Sequence, residues 1–343
     1  MLRRAPARLM AVLAARAGSV SRFVNTVSRH GNRPDGQFLN FSLSTNEEKL
    51  LNMNSALSRQ ATSTQASAAA PPMAADSSGA SAATGPAAKL FYTEAGTGRN
   101  VMLLHGWTCD SHDWSWQLPA LENKYRVVAV DLRGHGRSEV MGAGQYTPDH
   151  YLADIEALIT TKYPGQRFIV IGHSMGAQIA ARLASRRPDL VSAVVSVDGS
   201  LGFADALLPV FEKATHDLAT GDPGVVGPAL FAAFYDAATP ETFKRWHARR
   251  LQGVPLQVVR ESFGPLFLGP CQVGVGRRSE DFCRGLNLPI YHLCRMQDQA
   301  AAMSTWFRHP KSKVEFWADA GHWIQQDRPA DVNAAITAWI DAL

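Results

Sequence analysis

Two short stretches of this 343-residue chain place reactive side chains where acyl-transfer chemistry needs them. Residues 172–176 read Gly-His-Ser-Met-Gly, with Ser174 at the centre. An apolar run at 168–171 precedes it, and a helix-like stretch rich in small residues, 175–186, follows. A serine on such a strand-to-helix turn has its hydroxyl lifted above the sheet edge. The N–H of Met175, at the start of the helix, points where a negative oxygen would form. Gly172 and Gly176 leave no Cβ to collide with neighbouring backbone. A serine hydroxyl is a weak nucleophile and needs an adjacent base. The candidate base is His322, in Ala-Gly-His-Trp, a glycine-preceded loop after the last apolar run at 314–317. His309 precedes that run, in a His-Pro-Lys loop, and is passed over. His322 would take the Ser174 proton and return it to the leaving group.

Two further loops follow apolar runs. His105-Gly106-Trp107 comes after 101–104, and Asp131-Leu-Arg133-Gly-His135-Gly-Arg-Ser138 comes after 127–130. With Gly-His-Ser-Met-Gly and Gly-His-Trp, they make residues 89–343 resemble the α/β-hydrolase superfamily over nearly the whole segment. The resemblance implies an α/β fold, with a mostly parallel central sheet, helices on both faces and a helical cap. It implies a serine hydrolase, carboxylic esters being the expected substrates, with its triad in the order Ser, acid, His. It also implies that Trp107, following His-Gly, gives the second oxyanion N–H beside that of Met175. A tetrahedral intermediate needs two such donors, and removing one typically costs about 3 kcal/mol. The His105 imidazole is read as holding its loop, and Asp131, Arg133, His135 and Ser138 as scaffold.

For the acid the resemblance leaves two positions. Asp298 lies on the loop where the family usually carries P-x5-G-x-x-D and is favoured by family frequency, although Arg295 stands where the glycine usually is. Asp198, in Val-Asp-Gly directly after the run at 193–197, has the cleaner strand-end placement, and some members of the family place their acid there. The acid's role is to orient His322 and to stabilise its imidazolium form.

The elements that must hold these residues are legible as alternating patterns. Strands are expected at 90–94, 101–104, 127–130, 168–171, 193–197, 290–294 and 314–317, with helices at 148–162 and 175–186 among those between them. Strands alternating with helices of this length imply βαβ units and a parallel sheet covered on both faces. Residues 201–288 are longer than a simple connection needs and carry Phe203, Phe211, Phe231, Phe234, Tyr235, Trp246, Phe263 and Phe267. They are read as a mostly helical cap whose aromatics largely form its own core. Some of them, with Trp107, Trp323 and Trp114, would line an apolar cavity, with His173 and Cys109 close to the motif and counted as pocket residues. A small hydrophobic ester, thioester or lactone fits such a cavity.

Hydrophobic residues make up 46% and charged residues 19%, enough to build a packed core. The net charge of +4 is carried by the start of the chain. Residues 1–34 hold seven arginines and no acid; removing these seven from the 34 Lys and Arg leaves 27 against 30 Asp and Glu, a net of −3. The body is therefore mildly acidic, which argues against a nucleic-acid surface. Arginine-rich, serine-bearing and acid-free, residues 1–34 have the composition of an organelle transit peptide, mitochondrial or other, or of a basic tail. Residues 35–88 shift to Ser, Ala, Thr, Gln, Pro and Gly and are expected to be a disordered linker. No apolar stretch reaches the ~20 residues of a transmembrane helix.

The four cysteines form no C-x-x-C pair and no zinc spacing, and are read as free thiols in a reducing compartment. There is no G-x-G-x-x-G after the first strands, no P-loop and no metal motif, so no cofactor is expected. Ser174 argues against the epoxide hydrolases and dehalogenases of this fold, which use an aspartate nucleophile. Carbon–carbon bond hydrolases, cofactor-free haloperoxidases and lyases keep a serine and stay open, as does a slow-turnover ligand receptor. Nothing in the sequence specifies an oligomeric state.

Overall fold

The computed structural model describes residues 85–343. The transit-peptide expectation for 1–34, and nearly all of the linker expectation for 35–88, lie outside them. Gly85–Ala87 are exposed, but Ala88 is buried and its N–H donates to Asp154 Oδ1 at 2.7 Å, so the folded unit takes in one residue more than expected.

Seven strands form one sheet: β1 (Tyr92–Ala95), β2 (Arg99–Leu104), β3 (Tyr125–Val130), β4 (Phe168–His173), β5 (Val191–Val197), β6 (Ile290–Cys294) and β7 (Lys313–Phe316). Their order is β1-β3-β2-β4-β5-β6-β7. β1 pairs antiparallel with β3; every other neighbour is parallel. Between the strands run α1 (Leu118–Leu121), α2 (Pro148–Lys162) and α3 (Met175–Arg186). After β6 come α9 (Gln297–Met303), α10 (Ile324–Asp327) and α11 (Pro329–Asp341). The expected helices at 148–162 and 175–186 coincide with α2 and α3, and the expected strands differ only at their ends.

Side chains of alternate strand residues enter opposite cores, as the pleat requires. Met102, Leu104, Phe168 and Val170 pack with Tyr151, Leu152 and Ile155 of α2 and Ile179 of α3. Val101, Leu103, Ile169 and Ile171 pack on the other face with Leu121 of α1 and Ile336, Trp339 and Ile340 of α11. Trp114 belongs to this second core and not to the expected cavity.

Five helices separate β5 from β6: α4 (Leu208–Thr220), α5 (Pro223–Ala232), α6 (Glu241–Gly253), α7 (Leu256–Phe263) and α8 (Gly276–Arg284). This is the helical cap expected at 201–288. Its aromatic core is real: Phe211 stacks on Phe267 at 4.0 Å, and Phe203 meets both at 5.3 and 5.7 Å. Trp246 lies outside it, 43% exposed. Among the described residues no helix is long and apolar enough to cross a membrane, and Cys109, Cys271, Cys283 and Cys294 are unpaired.

The parallel register decides where chemistry can occur. Leu104 of β2 pairs with Gly172 of β4, His173 with Val197 of β5, and Val197 with Leu293 of β6. The carboxyl ends of four strands are therefore nearly level, and the loops leaving them converge on one crevice.

Candidate active site

Ser174 follows β4 directly and begins α3 in a left-handed conformation, φ 51°. Glycine is required on both sides of it. A Cβ on Gly172 would come within 2.4 Å of the Ala177 nitrogen, and one on Gly176 within 2.3 Å of the Leu104 carbonyl oxygen. The second contact presses the turn against the end of β2. A Cβ on Gly106 would lie 2.7 Å from the His173 ring and 3.3 Å from the Ser174 Cβ, so the His105–Trp107 loop lies directly beside the serine. Within the described residues the Trp107 N–H has no hydrogen-bond partner. The Met175 N–H belongs to the first turn of α3, whose donors have no partner within the helix.

Asp198 follows β5 and His322 follows β7. His322 Nδ1 lies 2.5 Å from Asp198 Oδ2. The carboxylate can only accept, so Nδ1 carries the proton and Nε2 is left with its lone pair. Asp298 sits in the first turn of α9, exposed and apart from His322. The preference for Asp298 is therefore corrected: the acid held against His322 is Asp198. The reason lies in Arg295, which occupies the loop after β6. Its main-chain N–H donates to Asp198 Oδ1 at 3.2 Å and its Nε to Oδ2 at 2.9 Å. Burial acts to raise the Asp198 pKa, but the Arg295 charge and the His322 hydrogen bond outweigh it, and the carboxyl stays well below the ordinary aspartate range.

Thr108, Ser174 and Asp198 are three of the four non-glycine residues with positive φ among the described residues. Each such conformation costs of order 1–3 kcal/mol and persists only where its surroundings hold it. All three flank the crevice.

His173 is packed behind this pair. Its Nε2 donates to the His322 carbonyl oxygen at 2.9 Å, and its ring lies 4.6 Å from the His322 ring. Its Nε2 thus braces the His322 loop. Burial keeps it neutral by pushing its pKa well below the usual value. Cys109, its thiol pushed up to about 11 by burial, lies against Arg250 and Trp323. The scaffold readings hold for the remaining motif residues. His105 Nε2 accepts from Leu132 N–H, Asp131 accepts from Ser111 and Arg137 N–H, and Arg133 forms a buried pair with Asp154.

Several participants were not read from the sequence. Ser200 Oγ lies 3.4 Å from Ser174 Oγ. The cap holds the His322 loop: the Phe234 carbonyl accepts the His322 N–H at 2.6 Å, and the Phe234 ring lies 5.2 Å from the His322 ring. His247 of α6 stacks on Trp323 at 3.8 Å and contacts Gln326 at 3.0 Å. Thr239 donates to Asp327, whose Oδ2 accepts the Gly321 N–H at 2.7 Å. Arg250, also on α6, pairs with Asp110 and with the fully buried Asp113 below the Trp107 loop. Phe231 and Phe263 reach down to Trp107 at 5.7 and 5.1 Å. Ser174 itself is 7% exposed.

The alpha/beta hydrolase fold family matches residues 99–271. The chain is 37% identical to 2-(acetamidomethylene)succinate hydrolase of Mesorhizobium japonicum over 272 residues, 74% of this chain and 92% of that one. It is 44% identical to a non-heme haloperoxidase of Rhodococcus erythropolis over 100 residues, 29% of this chain and only 35% of that protein's length. A solved esterase from Thermogutta terrifontis superposes with a TM-score of 0.64 at 21% identity, covering 74% of this chain and 94% of that one. Family match, long relative and sheet topology agree: the chain belongs to the alpha/beta hydrolase fold family.

Proposed function

We propose that the protein is a serine hydrolase that cleaves an ester-type bond through an acyl-enzyme, with Ser174 as nucleophile, His322 as base and Asp198 as the acid. The observation that carries this reading is the 2.5 Å contact of His322 Nδ1 with Asp198 beside a strained, glycine-flanked serine. With Nδ1–H committed to the carboxylate, His322 Nε2 is free to take the Ser174 proton as Oγ attacks the substrate carbonyl carbon. The carbonyl π pair moves to oxygen, which the N–H groups of Trp107 and Met175 stabilise. On collapse the bond to the leaving group breaks, and the leaving group takes the proton from His322. Water, deprotonated by the same imidazole, then repeats the sequence on the acyl-enzyme and releases the acid. No cofactor is called for.

Phe231 and Phe263 against Trp107, and Phe234 against His322, support a small, largely apolar substrate. The match to the Mesorhizobium enzyme, named for a succinate derivative, favours a second reading in which the substrate bears carboxylates. Comparing kcat/KM for 2-(acetamidomethylene)succinate with that for a short p-nitrophenyl ester separates the two.

The deciding experiment is labelling with a fluorophosphonate probe, on wild type and Ser174→Ala, followed by peptide mapping. The expected result is a single adduct on Ser174, lost in the variant, with ester turnover in the ordinary enzyme range of ~1–10³ s⁻¹ on a good substrate. A folded wild type that takes no label and turns over no ester, lactone or thioester would overturn the assignment in favour of a binding role.

A further inference from the structure

Arg295 stands at the glycine position of the P-x5-G-x-x-D pattern that the resemblance led one to expect, and its guanidinium is built into the Asp198–His322 pair. It donates from Nε to Asp198 Oδ2 at 2.9 Å, the same oxygen that His322 Nδ1 meets at 2.5 Å. Its backbone N–H holds the other oxygen at 3.2 Å. Phe234 bridges the two partners, its ring 5.8 Å from the Arg295 guanidinium carbon and 5.2 Å from the His322 ring. The arginine side chain is 23% exposed and the aspartate side chain 8%, so the pair is only partly screened by water.

We propose that Arg295 is a positioning residue for the catalytic pair: its Nε and main-chain N–H lock the Asp198 carboxylate toward His322 Nδ1. The inference rests on the assignment of His322 and Asp198 as base and acid. A guanidinium stays protonated throughout the working range, so its charge does not vary with pH. An aspartate that faced His322 alone could turn its carboxylate plane away from the imidazole. Here a donor on each oxygen fixes that plane, the main-chain N–H of Arg295 on Oδ1 and its Nε on Oδ2, the oxygen that meets His322 Nδ1.

Among the groups near His322, the buried histidines and the thiol are uncharged between pH 5 and 9 and do not compete with Arg295 for Asp198. His173, from β4, is neutral by burial. His247, from α6, is pushed down to about 4 by burial. His292 and Cys294 of β6, which sense Asp198, are displaced to about 4 and about 12, again by burial. Asp327, on α10, is spent on Gly321 N–H and Thr239. Asp236, in the cap turn, adds a carboxylate that senses Asp327. Arg295 is the cation bonded to Asp198.

The test is the His322 Nδ1–H resonance in the NMR spectrum of the full-length protein at one fixed pH, assigned by its loss in His322→Gln. Wild type and Arg295→Lys, which keeps a charged donor, are expected to show it sharp and far downfield, and Arg295→Met to broaden it or move it upfield. On a p-nitrophenyl ester the Met variant should lose about tenfold in kcat with little change in KM. Should Arg295→Met fail to fold, Arg295→Ala carries the same expectation. A folded Met or Ala variant whose resonance matches wild type would refute the proposal. Absence of labelling at Ser174 would instead sink the hydrolase reading alone, because the resonance does not depend on turnover.

Discussion

Asp198→Asn is the substitution that most directly tests the geometry. It keeps the shape of the side chain and removes its charge, and the structure shows why an amide cannot serve in its place. Donors face both carboxylate oxygens: Arg295 N–H on Oδ1, and Arg295 Nε–H with His322 Nδ1–H on Oδ2. An asparagine must turn its NH2 toward one of these sides. Turned to the Oδ2 side, it obliges His322 Nδ1 to accept, which moves the imidazole proton to Nε2 and leaves no lone pair for Ser174. Turned to the Oδ1 side, it opposes the Arg295 N–H and leaves the imidazolium without a counter-charge. Either way the base is disabled, and the expected loss in kcat is about 10⁴-fold, or about 5 kcal/mol. KM should change little, because the side-chain bonds of Asp198 go to His322 and Arg295. Asp298→Asn, on an exposed first turn, should stay within about twofold of wild type, as surface substitutions do. The assay is steady-state hydrolysis of a p-nitrophenyl ester, with thermal melting to show that each variant is folded. The reasoning fails if Asp198→Asn keeps more than about a tenth of wild-type kcat, or if Asp298→Asn loses as much.

Two further outcomes follow from buried charge. Burial holds His105, His247 and His292 at about 4 and His135 at about 3 in the folded protein, against about 6.5 when unfolded. As these folded-state values are depressed, the unfolded chain binds more protons between pH 6.5 and 4, so stability is full above about pH 6.5 and falls as the pH drops through that window. Each histidine adds a slope of up to about 1.4 kcal/mol per pH unit; urea midpoints measured from pH 7.5 to 4.5 should fall steeply below 6.5, and a flat profile would contradict the burial. Arg250→Met leaves the fully buried Asp113 without its cation and should destabilise the fold by about 3 kcal/mol. The same melts should register this, and an unchanged midpoint would mean that the cap is not latched to the Trp107 loop through this pair.

The parts of the molecule that were legible in the sequence are those whose cause is local. Strands and helices followed the apolar periodicity, and Ser174 announced itself because only glycine tolerates the approaches of 2.4 and 2.3 Å at positions 172 and 176. The acid was not local. Asp198 and His322 are 124 residues apart in sequence, and which strand end supplies the carboxylate depends on the register that levels β5 with β6. One signal was present: an arginine at 295 in the loop that was expected to carry the acid. A cation there repels no base if a carboxylate from the neighbouring strand end lies between them, which is the arrangement the fold adopts.

The grip of the cap on His322 was invisible for a different reason. Its nearest contact is the carbonyl oxygen of Phe234, an atom every residue possesses, and its other contacts join residues roughly eighty positions apart, Thr239 to Asp327 and His247 to Gln326. These bonds carry a mechanistic consequence. The turn between α5 and α6 fixes the backbone of His322 through the Phe234 carbonyl, while Arg250 ties α6 to the segment after Trp107. One stretch of the cap is thereby bonded to both loops that the proposed mechanism uses, so a substitution that loosens it, Arg250→Met among them, should lower kcat as well as stability.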